Sequence, residues 1–171
     1  MKGYVHVYTG NGKGKTTAAL GLAVRAAGAG LKVYIAQFAK YGEYSEIKGL
    51  KRLSDSITIE QFGRGRFIKG RPSTEDVKAA RKGLETVKSV MARGEHAVVI
   101  LDEANVAVSL GLFSEAALAE ILASKPEDIE IIITGREATP QIMELADLVT
   151  EMKEIKHYFQ NGVQARLGIE K

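Results

Sequence analysis

The chain has 171 residues, which against about 100–200 residues per domain predicts a single domain, 1–171, with a well-formed core. Twenty-four Lys and Arg against 21 Asp and Glu leave a net charge of +3, and 26% charged with 45% hydrophobic residues is ordinary globular usage that excludes a chain disordered throughout. There is no cysteine and there are three scattered histidines, so disulfides, thiolate nucleophiles and Cys-based metal sites are excluded, and any metal is expected to be a hard, oxygen-bound ion. No run approaches the ~18–20 uncharged apolar residues of a membrane span, and Met1-Lys2-Gly3 leads into a β-like run instead of a signal segment. A cytoplasmic, soluble protein with no membrane partner is the expectation. A pI of 9.0 permits nucleic-acid binding without demanding it, because the basic residues do not gather in a tail.

Short apolar runs alternate with longer segments of helical period, which predicts an α/β fold with a mostly parallel sheet of about six strands flanked by helices. The predicted strands are Tyr4–Tyr8, Lys32–Phe38, Ser56–Phe62, Ala97–Leu101, Ile129–Thr134 and Leu148–Met152. Most are continuous Val/Ile/Tyr runs, as strands buried on both faces should be. The segment Thr16 to Ala29 is rich in Ala, Leu and Gly, which lets a helix sit close on a sheet, and Gly28 and Gly30 read as its stop. A second helix is predicted from Ser73 to Arg93, with Ser73 as N-cap and Glu75 and Asp76 at the positive end of the dipole. Its stripe Val77, Ala80, Leu84, Val87 and Met91 faces the core, while Lys78, Arg81, Lys82 and Lys88 face water. Another capped helix starts at Ser114, carries Leu118, Ile121 and Leu122, and ends before Pro126. From about residue 153 to 171 no clean period holds, and glycines at 162 and 168 suggest a turn-bearing arm that packs as a tail or lines a site.

The sharpest motif is Thr9-Gly10-Asn11-Gly12-Lys13-Gly14-Lys15-Thr16-Thr17, directly after the first strand and before the Ala-rich helix. It resembles a P-loop, G-x-x-x-x-G-K-[ST], with Thr9 at the first glycine position. Glycines allow a backbone whose N–H groups form an anion nest, and the helix N-terminus adds partial positive charge. Lys15 then reaches phosphates and the Thr16 hydroxyl binds Mg²⁺. The strand Ala97–Leu101 runs into Asp102 and Glu103, and acids at the carboxyl end of a parallel strand lie near the ligand crevice of such sheets. One of the pair is expected to serve Mg²⁺, directly or through water, and one of them alternatively caps the next helix.

Thr134-Gly135-Arg136 follows the fifth strand, where Arg136 contacts phosphate or pairs with a neighbouring acid. Phe62-Gly63-Arg64-Gly65-Arg66-Phe67-Ile68-Lys69-Gly70-Arg71 places four cations, three glycines and two aromatics in one loop. That is a flap over a flat or anionic ligand, a surface for single-stranded nucleic acid, or a solvated loop. His157 has no acid at a spacing that would orient it as a base.

Thr9 through Ala19, Val98–Glu103, Ile132–Arg136, Ala146-Asp147 and Lys156-His157 with Gly162-Val163 and Gly168-Ile169-Glu170 together resemble the P-loop type of cob(I)alamin (corrinoid) adenosyltransferase. The similarity runs in order over nearly the whole chain. It implies a three-layer P-loop NTPase-like fold and transfer of the 5′-deoxyadenosyl group of ATP to the cobalt of a reduced corrinoid, with release of triphosphate. It further implies ATP bound by Gly10 through Thr17, Mg²⁺ held at Thr16 and Glu103, a homodimer, and a transient reductase or electron donor. Because Co(I) is itself the nucleophile, catalysis reduces to positioning and charge stabilisation by Lys13, Lys15, the loop amides and Mg²⁺. Familiar members carry a Gly-Phe-Thr-Trp-like segment where this chain has Gly65-Arg66-Phe67-Ile68-Lys69, which puts Phe67, with Arg66, on the corrinoid. They also often have residues ahead of the first strand, so an N-terminal lid is expected to be missing or supplied otherwise. Two other readings share the P-loop: an ATPase or small-molecule kinase moving the γ-phosphoryl group, and a nucleotide-gated protein binding nucleic acid through Arg64, Arg66, Lys69 and Arg71.

Overall fold

A computed structural model describes residues 2–40, 42–65, 68 and 70–170. Six strands, β1 (Val5–Thr9), β2 (Val33–Phe38), β3 (Ile57–Phe62), β4 (Val98–Asp102), β5 (Glu130–Thr134) and β6 (Leu148–Glu151), form one sheet in the order β3-β2-β4-β5-β1-β6. Every neighbouring pair is parallel. Each strand lies within one residue of its expected bounds.

Alternation along the strands sends side chains to two helical layers. Val33, Ile35, Val98, Ile100 and Ile132 pack against Ala19, Leu20, Ala23 and Ala26 of α1 (Lys15–Gly28), with Leu50 of α2 (Ser45–Leu50) on the same face. Tyr34, Ala36, Phe38, Val99, Leu101, Ile131 and Ile133 face α3 (Thr74–Arg93), α4 (Ala104–Ser109), α5 (Glu115–Ala123) and α6 (Pro140–Glu144). β2 and β4 are buried at every residue; their apolar runs fit a strand covered on both faces, and Gln37 and Asp102 are the polar residues buried with them. β6 departs from the pattern: it is one of the sheet's two edges, and all four of its residues are exposed.

The longest helix, α3, starts where its cap was expected. The Ser73 hydroxyl accepts from the Asp76 amide at 3.3 Å and the Asp76 carboxylate takes the Ser73 N–H at 2.9 Å, a reciprocal capping box of the kind that contributes about 1 kcal/mol. Ala80, Leu84, Val87 and Met91 are buried and Val77 partly so. Gly83 sits between them against two aromatic rings, where a Cβ would come within 2.7 Å of Phe38 and Phe62. At the end of α1 the expectation is corrected in part. Gly28 is an ordinary helical residue, and Gly30 (φ +80°) alone makes the left-handed turn, with the Leu31 N–H donating to Ala26 O.

Backbone strain gathers at the carboxyl edge of the sheet. Ala39, Glu103 and Glu137 hold positive φ of 54°, 59° and 61°, one beyond the end of each of β2, β4 and β5. Such residues cost about 1–3 kcal/mol each and persist where the surroundings hold them for a purpose.

Candidate functional site

β1 ends at Thr9 and α1 begins at Lys15, so the loop between them opens onto that edge. Gly14 (φ +118°) is the N-cap of α1 and brings no side chain, which leaves the first-turn amides open to an anion. The chain leaving β6 backs the loop closely. The Met152 N–H donates to Thr9 O at 2.8 Å and the Gly12 N–H donates to Met152 O at 2.7 Å, so the Gly12 amide is spent on the chain instead of joining the nest. A Cβ on Gly10 or Gly12 would lie 2.4 or 2.7 Å from Met152 O. Lys15 is 8% exposed and folds inward, its Nζ 2.7 Å from both Gly10 O and Gly12 O. Burial, and then the charge of Arg136, push its pKa below the ordinary lysine value. Arg136 stands on the cleft wall and, among the described residues, makes no ion pair. Thr9 holds the segment beyond Arg136 by accepting the Ala138 N–H at 3.2 Å.

Beside Lys15 lies an acid centre assembled from three strands. The Asp102 carboxylate is fully buried and accepts from the Thr16 hydroxyl (2.8 Å), the Thr134 hydroxyl (2.7 Å), the Gln37 amide (3.0 Å) and the Lys40 ammonium (3.0 Å). Its lone pairs are therefore fully subscribed. Glu103 turns the other way: its N–H donates to the Thr134 hydroxyl, while among the described residues its carboxylate pairs only with Lys40, at 3.8 Å. Glu103 is the N-cap residue of α4 but makes no side-chain cap bond, so neither acid serves as a cap. Burial raises the Glu103 pKa, opposed by Lys40. Burial alone would lower the Lys40 pKa, but Asp102 and Glu103 outweigh it and hold the ammonium form. Sequence reasoning missed Lys40 and Gln37. Their only sequence signal was position, at the carboxyl end of a parallel strand.

Lys15, Thr16, Lys40, Glu103 and Arg136 line a cleft of about 1120 Å³, whose walls also carry Leu20, Val24, Tyr44, Ile68 and Leu110. The arm closes a side of it. Lys13 Nζ donates to Glu170 (2.6 Å), the Tyr158 hydroxyl (3.0 Å) and Ile169 O (3.0 Å), the Tyr158 hydroxyl donates to Glu170, and Arg166 pairs with Glu170 at 3.1 Å. Hydrogen bonds from Arg166, Lys13 and Tyr158 hold the Glu170 pKa far below the usual carboxylate range. His157 also faces the cleft, but its Nδ1 accepts the Phe159 N–H at 3.0 Å. In the neutral ring the proton is then on Nε2, and no lone pair remains for a base. Phe67, Arg66 and Lys69 lie outside the described residues. Of the same loop, Ile68 reaches the cleft and the core, and Arg64 pairs with the exposed Glu75 at 3.6 Å.

A parallel sheet with a glycine-lysine-threonine loop at one strand end and an acid centre at another defines a P-loop nucleotide-binding protein of the α/β class. Residues 1–170 match the model of the family described as ATP:corrinoid adenosyltransferase BtuR/CobO/CobP. A corrinoid adenosyltransferase of Pseudomonas aeruginosa is 33% identical over 99% of this chain and 84% of its own length. One of Escherichia coli is 35% identical, and one of Salmonella typhimurium named corrinoid adenosyltransferase CobA is 33% identical, each over 99% of this chain and 86% of its own. The chain belongs to this family of enzymes, which adenosylate corrinoids at the expense of ATP. Membership decides between the readings that the P-loop alone left open. Among the described residues no helix is long and apolar enough to cross a membrane.

Proposed function

We propose that the chain transfers the 5′-deoxyadenosyl group of ATP to the cobalt of a reduced corrinoid such as cob(I)alamin, releasing triphosphate. The Co(I) electron pair forms the new bond to C5′, the C5′–O bond breaks, and its electron pair leaves on the triphosphate. The observation that carries this reading is the cleft: Lys15 and Thr16 share one space with an apolar wall, and its volume of about 1120 Å³ slightly exceeds the roughly 300–1,000 Å³ of a single-ligand pocket. Two substrates can meet there. In this reading Thr9, Gly10, Asn11, Gly12, Lys13, Gly14, Lys15, Thr16, Thr17 and Arg136 bind the nucleotide. Lys13 and Lys15 offset the charge that develops on the leaving group.

The donor set also fits a hard cation. Thr16 gives its proton to Asp102 and turns a lone pair outward, Glu103 presents a carboxylate without a hydrogen-bond donor in the described residues, and a cation, the Lys40 ammonium, already sits among all three. Thr16 and Glu103 would hold Mg²⁺, with Asp102 orienting Thr16 from behind. When bound, Mg²⁺ would neutralise phosphate charge. Phe67 and Arg66 are proposed to face the corrinoid. The 171 residues act as one nucleotide-binding domain with an arm from about 153, in a cytoplasmic homodimer that receives its corrinoid reduced by a transient electron donor. Exposed Leu148, Val149, Ile155, Phe159 and Leu167 on β6 and the arm support a second copy as partner, and sedimentation tests it.

Mixing the protein with MgATP and chemically reduced cob(I)alamin without oxygen tests the reaction. A light-sensitive cobalt–carbon product with one triphosphate each is expected; ADP and phosphate without cobalt alkylation would overturn it. Lys15→Ala should abolish turnover with the far-UV dichroism unchanged, and Phe67→Ala should weaken corrinoid use while sparing ATP binding.

A further inference from the structure

Lys40 has no part in the motif that defines the loop, yet its ammonium occupies the centre of the acid cluster. Nζ lies 3.0 Å from Asp102 Oδ2, 3.2 Å from Thr16 Oγ1 and 3.8 Å from Glu103 Oε1. The Thr16 hydroxyl donates to Asp102 and accepts from Lys40, so the ammonium takes one of the two lone pairs with which this oxygen could meet a metal. The backbone of Lys40 is held from both sides. Ala39 before it is in the left-handed region (φ +54°), and Gly63 leaves β3 so closely that a Cβ would fall 2.4 Å from Lys40 O and 2.8 Å from Lys40 N. Two adjacent acids, one of them fully buried, are costly to keep charged at this edge without a cation between them.

We propose that Lys40 is a placeholder cation: in the nucleotide-free protein its ammonium fills the position of the divalent ion, and it yields that position when the ion arrives with the nucleotide. The inference rests on the reading in which Thr16 and Glu103 hold Mg²⁺. Lys40 lines the open cleft, and Glu46 of α2 lines it too and already acts electrostatically on the ammonium. The displaced head therefore keeps an anionic neighbour. One consequence separates this arrangement from a plain structural ion pair: free metal competes poorly until the charge of a triphosphate is added beside it. The nucleotide thus binds before or together with the ion, and Lys40 acts as a positioning residue for that step.

The test titrates Mn²⁺ into nucleotide-free protein and follows bound metal by electron paramagnetic resonance. Lys40→Met is expected to bind Mn²⁺ at least about tenfold more tightly than the unmodified chain, because a unit charge about 3 Å away has gone. Mn²⁺ alone should raise the melting temperature of that variant and leave the unmodified chain's unchanged. Lys40→Arg, which keeps the charge, should keep metal binding weak. If Lys40→Met does not fold, Lys40→Gln gives the same comparison with a hydrogen-bond donor retained. Equal Mn²⁺ affinity with and without Lys40, while both proteins bind Mn²⁺ once ATP is present, overturns the placeholder alone. Failure of the unmodified chain to bind Mn²⁺ even with ATP overturns the metal reading and the placeholder together.

Discussion

Asp102 and Glu103 are sequence neighbours with opposite surroundings, and the difference gives them different work. Asp102 has four donors on two oxygens and no exposure; Glu103 has a cation at 3.8 Å and a part-exposed carboxylate. Asp102→Asn would place an N–H among donors and strip the Lys40 ammonium of its nearer partner. Losing one side of a buried pair costs about 3–5 kcal/mol, so urea unfolding should show a destabilisation of that size. Glu103→Gln should stay within about 1 kcal/mol and lose metal-dependent nucleotide binding instead. The sequence showed two acids at a strand end, but not which one is buried. That depends on Gln37, Lys40 and Thr134, which come from two other strands and carry no spacing relative to Asp102.

At the scale of elements, periodicity was readable where it persisted. α3 spans 20 residues with a cap and a stripe, and its start fell within a residue of expectation. Helices α2 and α6, of six and five residues, were not foreseen, and α4, of six, was expected only as a helix that one of the two acids would cap. So few residues hold under two turns, too short for a pattern, and tertiary burial makes them helical. Within α3 the tight seat of Gly83 makes a direct prediction. Gly83→Ala should destabilise by about 1–3 kcal/mol through overpacking, despite a propensity gain near 1 kcal/mol. Gly28→Ala, with nothing within 4 Å of its Cβ, should be neutral or stabilise by up to about 1 kcal/mol; thermal melts distinguish the pair. The arm makes another. Because the folded Glu170 pKa is depressed, its contribution to closure is fully present above the ordinary carboxylate pKa and is lost only as pH falls through the lower folded value. Amide exchange of residues 166–170, corrected for intrinsic rates, should stay flat from about pH 8 to about pH 5. Glu170→Gln should raise it at neutral pH.

For the molecule as a whole, a parallel sheet was legible from alternating runs, whereas the strand order was not. The connection from β1 to β2 passes over two strand positions that β5 and β4 later fill, and nothing local to residues 10–32 encodes that distance. The exposure of β6 was hidden for the same reason: Leu148 and Val149 look like core residues until the order makes their strand an edge. The site suffered less, since the loop, Arg136 and the acids all lie on strand ends, and every strand end of a parallel sheet points the same way.

The fit between Met152 and the loop has one more consequence, which concerns entropy. Gly10 and Gly12 have the freedom to wander, and the chain beyond β6 removes it through the Gly12 N–H and the crowding at both Cβ positions. The loop is thereby ordered before any ligand arrives, and the cost of ordering is met during folding. A chain ending after Glu151 should keep its sheet but bind ATP more weakly, with the loss appearing by calorimetry as a less favourable binding entropy and not as a missing enthalpic contact. Thus the stretch beyond β6 would prepare the first loop for its ligand.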